Sequence, residues 1–136
     1  MTRSMSIFGA ALCLVALLAA CAVGPSISGF GPAFSPQGVS VTVRLADAEF
    51  RGAELLEVGD SSVLVLTNRR ELVRIYYGSM RVFEVPHGPV LHRGSSPRSE
   101  YIARWRALSR FPQGLAQAQL DTLASLYGQP RVEVRR

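Results

Sequence analysis

Cys21 carries the side chain with the clearest chemistry in this sequence, and it follows Leu18, Ala19 and Ala20. The thiolate is the nucleophilic form of cysteine and is the side-chain group that can form a thioether. The two alanines are small, so a peptidase at a membrane surface can reach the backbone beside them. These residue types permit both proteolysis and modification of the sulfur at this place.

The segment before Cys21 must deliver it to such a surface. Arg3 is the one charge in residues 1–6, and the twelve residues 7–18 form an apolar run in which the thiol of Cys13 is the most polar group. A charged start followed by a short apolar run is typical of a signal peptide. The run is shorter than the roughly 20 residues that a transmembrane helix needs. We therefore predict a removable signal peptide over residues 1–20.

The motif Leu18-Ala19-Ala20-Cys21 resembles the lipobox of bacterial lipoproteins. The resemblance implies cleavage between Ala20 and Cys21, a diacylglycerol on the Cys21 sulfur and acylation of the new amino terminus. Several acyl chains, at roughly 0.8 kcal/mol per buried CH₂, make a stable membrane anchor. Ala22 is not the aspartate of an inner-membrane retention signal, so the resemblance implies an outer-membrane location that faces the periplasm. The alternative is an ordinary secretory peptide in which Cys21 is incidental.

The chain after the signal peptide begins with an uncharged segment. Residues 22–38 are dense in Gly, Pro and Ser, which is typical of a flexible linker, and seventeen such residues span roughly 20–25 Å. We predict that residues 21–38 form a lipidated tether. Because Cys13 leaves with the signal peptide and Cys21 is lipidated, this interpretation predicts no disulfide and no cysteine ligand for a metal.

Residues 39–85 carry the pattern of short strands. Apolar residues alternate most clearly from Val39 to Leu45, and four further extended runs follow, at 50–58, 62–67, 71–77 and 82–85. Five strands with tight turns predict a small antiparallel β-barrel, since closure removes exposed sheet edges. The step Phe50-Arg51-Gly52, the run 54–66 and a break at 78–80 resemble Sm-like and Src-homology-type barrels. Gly52 lies one residue earlier than that resemblance implies, which a β-bulge would absorb.

Residues 86–136 read as a loop followed by a helical hairpin. Ser96 is predicted as the N-cap of a first helix with Pro97 at its first position, and a second helix is predicted over 116–127. Tyr101 and Trp105 share the apolar face of the first helix and are predicted to be core residues. Val132 and Val134 alternate with charges and predict an added edge strand. The expected fold is α+β, a five-stranded barrel with the hairpin packed on it.

The charges divide unevenly along the chain. All fifteen basic residues are arginine; residues 22–85 hold six of them against seven acids, and residues 86–136 hold eight against three. Guanidinium groups bind phosphate and carboxylate, so the first helix is a candidate anion-binding surface. Its candidate residues are Arg98, Arg104, Arg106 and Arg110, while Arg131, Arg135 and Arg136 lie in the tail. The alternative is an ordinary solvated helix face in an arginine-rich composition.

The sequence lacks a constellation that indicates catalysis. It has no nucleophile motif, and the spacing of His87 and His92 matches no standard zinc pattern, so we predict no catalytic residue, metal or cofactor. The barrel resemblance would suggest RNA in the cytoplasm, but export and a near-neutral barrel argue against nucleic acid.

About one domain's length remains after processing. We expect a membrane-anchored, non-catalytic binding or assembly module of the cell envelope, or alternatively a binder of lipid phosphates or acidic polymers.

Overall fold

The structure is a computed structural model that describes residues 38–136. The predicted signal peptide, Cys21 and the predicted tether up to residue 37 lie outside the described residues. The elements run in the order β1 Ser40–Arg44, β2 Glu49–Val58, β3 Ser62–Leu66, β4 Leu72–Tyr76, a 3₁₀ turn Tyr77–Ser79, β5 Val82–Glu84, β6 Leu91–His92, α1 Ser99–Leu108, α2 Gln117–Leu126 and β7 Glu133–Arg135.

The seven strands form one mixed sheet in the order β6-β5-β1-β2-β3-β4-β7. Neighbouring strands are antiparallel except for β4 and β7, which are parallel. The predicted closed five-stranded antiparallel barrel is therefore wrong, although the α+β class agrees with the structure. The short strands β6 and β7 form the two edges of the sheet. The sheet is therefore open and does not close into a barrel.

Strand β2 contains the bulge that its glycine position suggested. Val41 pairs with Ala53 and the next residue, Thr42, pairs with Arg51, so Gly52 is left unpaired in β2. Gly52 has φ of +67°, a conformation that is readily available to glycine because it lacks a Cβ.

Both faces of the sheet are buried, and each carries its own helix. The first apolar cluster lies on the face that we call the α1 face, where Trp105 packs against residues such as Val63 and Val65. The second cluster lies on the opposite α2 face, where Leu64 packs with residues such as Leu120. Because successive side chains of β3 point to opposite faces, a strand with Val63, Leu64 and Val65 all buried requires cover on both sides.

The second half of β2 explains how the chain reaches both faces. This half pairs with β3, whereas β1 pairs only as far as Glu54. Its other edge accepts the segment after α1, because Arg110 N donates to Leu55 O at 3.0 Å and Phe111 N donates to Leu56 O at 2.8 Å. Phe111 then belongs to the α2-face cluster. The two helices therefore lie on opposite faces and do not form the predicted hairpin against one end of a barrel.

The helix boundaries agree with the prediction in part. Helix α1 begins at Ser99 with Arg98 as N-cap, so the predicted cap at Ser96 is two residues too early. Helix α2 ends near Gly128, which has φ of +71° and matches the predicted stop. The predicted edge strand is present as β7. No helix in residues 38–136 is long and apolar enough to span a membrane.

Candidate functional site

Two of the four arginines predicted as an anion-binding surface on α1 are held by the rest of the domain. Arg106 donates from Nε to Val58 O at 3.0 Å and from Nη2 to Asp60 Oδ1 at 3.1 Å. Arg110 lies 3.7 Å from Glu54 Oε1 and over the ring of Phe111. Both guanidinium groups tie α1 and the segment after it to β2 and the turn that follows β2.

The other two predicted arginines are exposed. Arg98 lies 3.8 Å from Glu100, and Arg104 has no ion pair within residues 38–136. Helix α1 therefore presents one guanidinium without an acidic partner instead of a row of four.

The loop histidines are exposed and separate from any acidic cluster. His87 adopts φ of +58° in the turn after β5, and His92 lies in β6. Within the described part of the chain, no three His, Cys, Asp or Glu side chains come together in a way that would hold a metal ion.

A different group of arginines lines a groove at one end of the α1 face. The groove has a volume of about 330 Å³ and lies between the β1–β2 loop, the 3₁₀ turn and the end of β7. We call it the arginine groove; its charged lining residues are Arg81, Arg93, Arg135, Arg136 and Asp47, and its apolar lining includes Leu45 and Met80. Arginine outnumbers acid in this lining by four residues to one, and Arg135 is the one of the four that forms ion pairs within the described residues.

Arg81 and Arg93 lie next to each other where β5 begins and β6 ends. The register of β5 and β6 pairs Val82 with His92, and the next pair outward is Arg81 with Arg93, whose N–H donates to Arg81 O at 2.8 Å. Arg81 directly precedes β5, Arg93 directly follows β6, and both residues line the arginine groove. Like charges directly opposite each other in a sheet are destabilising. Neither side chain has an ion pair among the described residues.

The remaining arginines reach the groove from the opposite edge of the sheet. Arg135 lies in β7 between two acids, at 2.6 Å from Glu133 Oε1 and 3.4 Å from Asp47 Oδ2. Arg136 lies over the ring of Tyr76 at 5.4 Å from its centroid. The contact between Arg135 and Asp47 brings the β7 edge next to the β1–β2 loop, which places cations on both sides of the groove.

A neighbouring groove shows that this charge imbalance is local. It has a volume of about 560 Å³ and shares Arg135, but its lining balances three arginines against three glutamates, Glu49, Glu71 and Glu133. The guanidinium of Arg51, followed by that of Arg44, lowers the pKa of the Glu49 carboxyl through hydrogen bonds. The charges of this second groove balance one another, whereas Arg81 and Arg93 of the arginine groove have no ion pair among the described residues.

The sequence contained only part of the signal for the arginine groove. The surplus of arginine in the tail is visible in the sequence, but Arg81 falls in the predicted near-neutral barrel and Arg93 in the predicted loop. The strand β6 is two residues long, too short to show periodicity, and it is this strand that brings Arg93 beside Arg81. Comparison with known protein families, characterised proteins and solved structures finds no match to this chain.

Proposed function

We propose that this protein is a lipid-anchored module of the bacterial cell envelope that faces the periplasm and binds another envelope component without catalysing a reaction. The observation that carries the proposal is the Leu18-Ala19-Ala20-Cys21 motif at the end of a short apolar run. Cys21 supplies the thiolate for lipid attachment, and the Gly/Pro/Ser-rich residues that follow supply a spacer.

The described domain supports the binding part of the proposal. Its first described residue, Gly38, is the last residue of the predicted tether. Its surface carries arginines without acidic partners beside a groove, such as Arg81 and Arg93. Guanidinium groups of this kind recognise planar or tetrahedral anions on a partner.

Metabolic labelling with a palmitate analogue tests the anchor. We expect the wild-type chain to take up label and to fractionate with membranes, and Cys21→Ser to lose both. Cys13→Ser is the matched control, because it removes the other thiol inside the predicted signal peptide and should leave labelling unchanged. Undiminished labelling of Cys21→Ser would show that the anchor assignment is wrong.

Crosslinking in intact envelopes tests the binding. The anchored chain should give discrete adducts with an envelope component, and these should disappear when Cys21→Ser releases the protein from the membrane. Adducts of equal yield with and without the anchor would contradict a function at the membrane.

A further inference from the structure

We propose that the arginine groove is a binding site for a phosphate ester. The proposal goes beyond lipid anchoring and does not depend on it, because it rests on the described domain alone. The ligand chemistry is a phosphate group carried on a small organic body, which a lipid headgroup or a free phosphorylated compound can provide.

The first step concerns Arg81 and Arg93. Arg81 directly precedes β5 and Arg93 directly follows β6, the N–H of Arg93 donates to Arg81 O at 2.8 Å, and both residues line the groove without an ion pair among the described residues. Two neighbouring guanidinium groups repel each other, whereas an anion between them would accept hydrogen bonds from both. Repulsion between the two arginines therefore destabilises the protein without ligand, and a bound anion removes this repulsion.

The second step concerns the charge of the anion. Four arginines line the groove, and Asp47 is the one acid in its lining. Arg135 is already paired with Asp47 and Glu133, so three arginines of the lining have no ion pair among the described residues. A carboxylate ligand carries one charge, whereas a phosphate monoester carries about −1.5 to −2 charges at pH 7 and three strong acceptor oxygens. Guanidinium groups also match the geometry of phosphate oxygens with two parallel hydrogen bonds. These features favour phosphate over carboxylate.

The third step concerns size and the rest of the ligand. A volume of about 330 Å³ is at the lower end of small-molecule sites, which suits a phosphate with a short organic group. Leu45 and Met80 in the lining offer an apolar surface to the carbon atoms next to the phosphate.

Calorimetric titration of the full chain in neutral detergent at low salt tests the site. We expect glycerol 3-phosphate to bind at least about tenfold more tightly than acetate, since its phosphate carries more negative charge and a third acceptor oxygen. The variant Arg81→Gln/Arg93→Gln should weaken phosphate binding by about tenfold or more. It should unfold at a temperature no lower than that of the wild type without ligand, because the repulsion is gone.

The matched control is Arg69→Gln/Arg104→Gln, which removes the same charge from two exposed arginines outside the groove. It should change the affinity by less than about twofold. Absence of phosphate binding, equal affinity for acetate, or an equal loss in this control would overturn the proposal. Dihexanoyl phosphatidic acid distinguishes the sources: tighter binding than glycerol 3-phosphate supports a lipid headgroup, and equal binding supports a free phosphate ester.

Discussion

The indole ring of Trp105 meets the ring of Phe83 edge-on, with the ring centroids 4.9 Å apart and the ring planes at 81°. Both side chains are fully buried, and Tyr77 and Tyr101 also lie near the indole ring. This contact joins α1 to β5 and fixes the helix on the α1 face. Edge-to-face pairs of this kind stabilise a core beyond the area that they bury.

Replacement of Trp105 should therefore destabilise the whole domain. We expect Trp105→Ala to lower the free energy of unfolding by about 3–5 kcal/mol. Trp105→Phe should cost less, because the indole N–H has no hydrogen-bond partner in the described residues. Urea unfolding measures both, with Leu126→Ala on the exposed side of α2 as a control that should cost under about 0.5 kcal/mol. Equal effects of Trp105→Ala and Leu126→Ala would contradict the assigned packing.

Gly38 marks the place where the chain joins the sheet. A Cβ built on Gly38 would lie 1.9 Å from the carbonyl oxygen of Leu55, whereas one built on Gly78 meets no atom within 4 Å. We expect Gly38→Ala to cost about 1–3 kcal/mol of stability through overpacking and Gly78→Ala to change it by less than about 0.5 kcal/mol. Thermal unfolding of the two variants makes the comparison, and equal stability would show that Gly38 does not approach β2 as described.

Tyr77 predicts a dependence of stability on alkaline pH. Its hydroxyl donates to Gly59 O at 2.9 Å, and burial raises the pKa of Tyr77 well above its usual range. The folded protein holds the neutral phenol, whereas the unfolded chain releases this proton near pH 10. The contribution of Tyr77 to stability is thus complete below about pH 10 and declines as the pH rises above that value.

Absorbance titration of tyrosinate tests this dependence. Of the four tyrosines, Tyr77 should ionise only as the protein unfolds. Tyr77→Phe should lose this alkaline step and about 1 kcal/mol of stability at neutral pH, because Gly59 O loses its hydrogen-bond donor. Ionisation of all four tyrosines together in the folded protein would contradict the burial of the phenol.

Arg74 and Glu57 form an ion pair on the α2 face, with Nη2 and Oε2 at 3.2 Å. Their side chains are 19% and 12% exposed, compared with 76% and 65% for the Arg98–Glu100 pair. A double-mutant cycle with Arg74→Gln and Glu57→Gln should give a coupling energy of about 0.5–3 kcal/mol. The same cycle for the exposed pair should give about 0–1 kcal/mol. A larger coupling in the exposed pair would contradict the role of burial.

Local sequence patterns predicted most of the elements, because each depends on neighbouring residues. The alternation from Val39 to Leu45, the Gly52 bulge and the helix stop at Gly128 are all visible in short windows. The closed barrel was wrong because closure depends on which edges meet. The clue against it was the run from Val63 to Val65, where successive buried residues indicate a strand covered on both faces.

The candidate site was harder to predict than the fold. Arg106 lies in α1 and Arg110 just after it, close in sequence to exposed arginines. The hydrogen bond from Arg106 to Val58 O and the proximity of Arg110 to Glu54 depend on distant parts of the chain. Arg81 and Arg93 come together through a strand of two residues. Charge composition therefore indicated a cationic domain without indicating which guanidinium groups were free.

The mass of the amino-terminal peptide of the protein purified from membranes tests the central claim most directly. We predict that this peptide begins at Cys21 and carries a diacylglycerol on sulfur and an acyl group on the amino nitrogen. A peptide that begins elsewhere, or one that begins at Cys21 with an unmodified thiol, would contradict the lipid anchor.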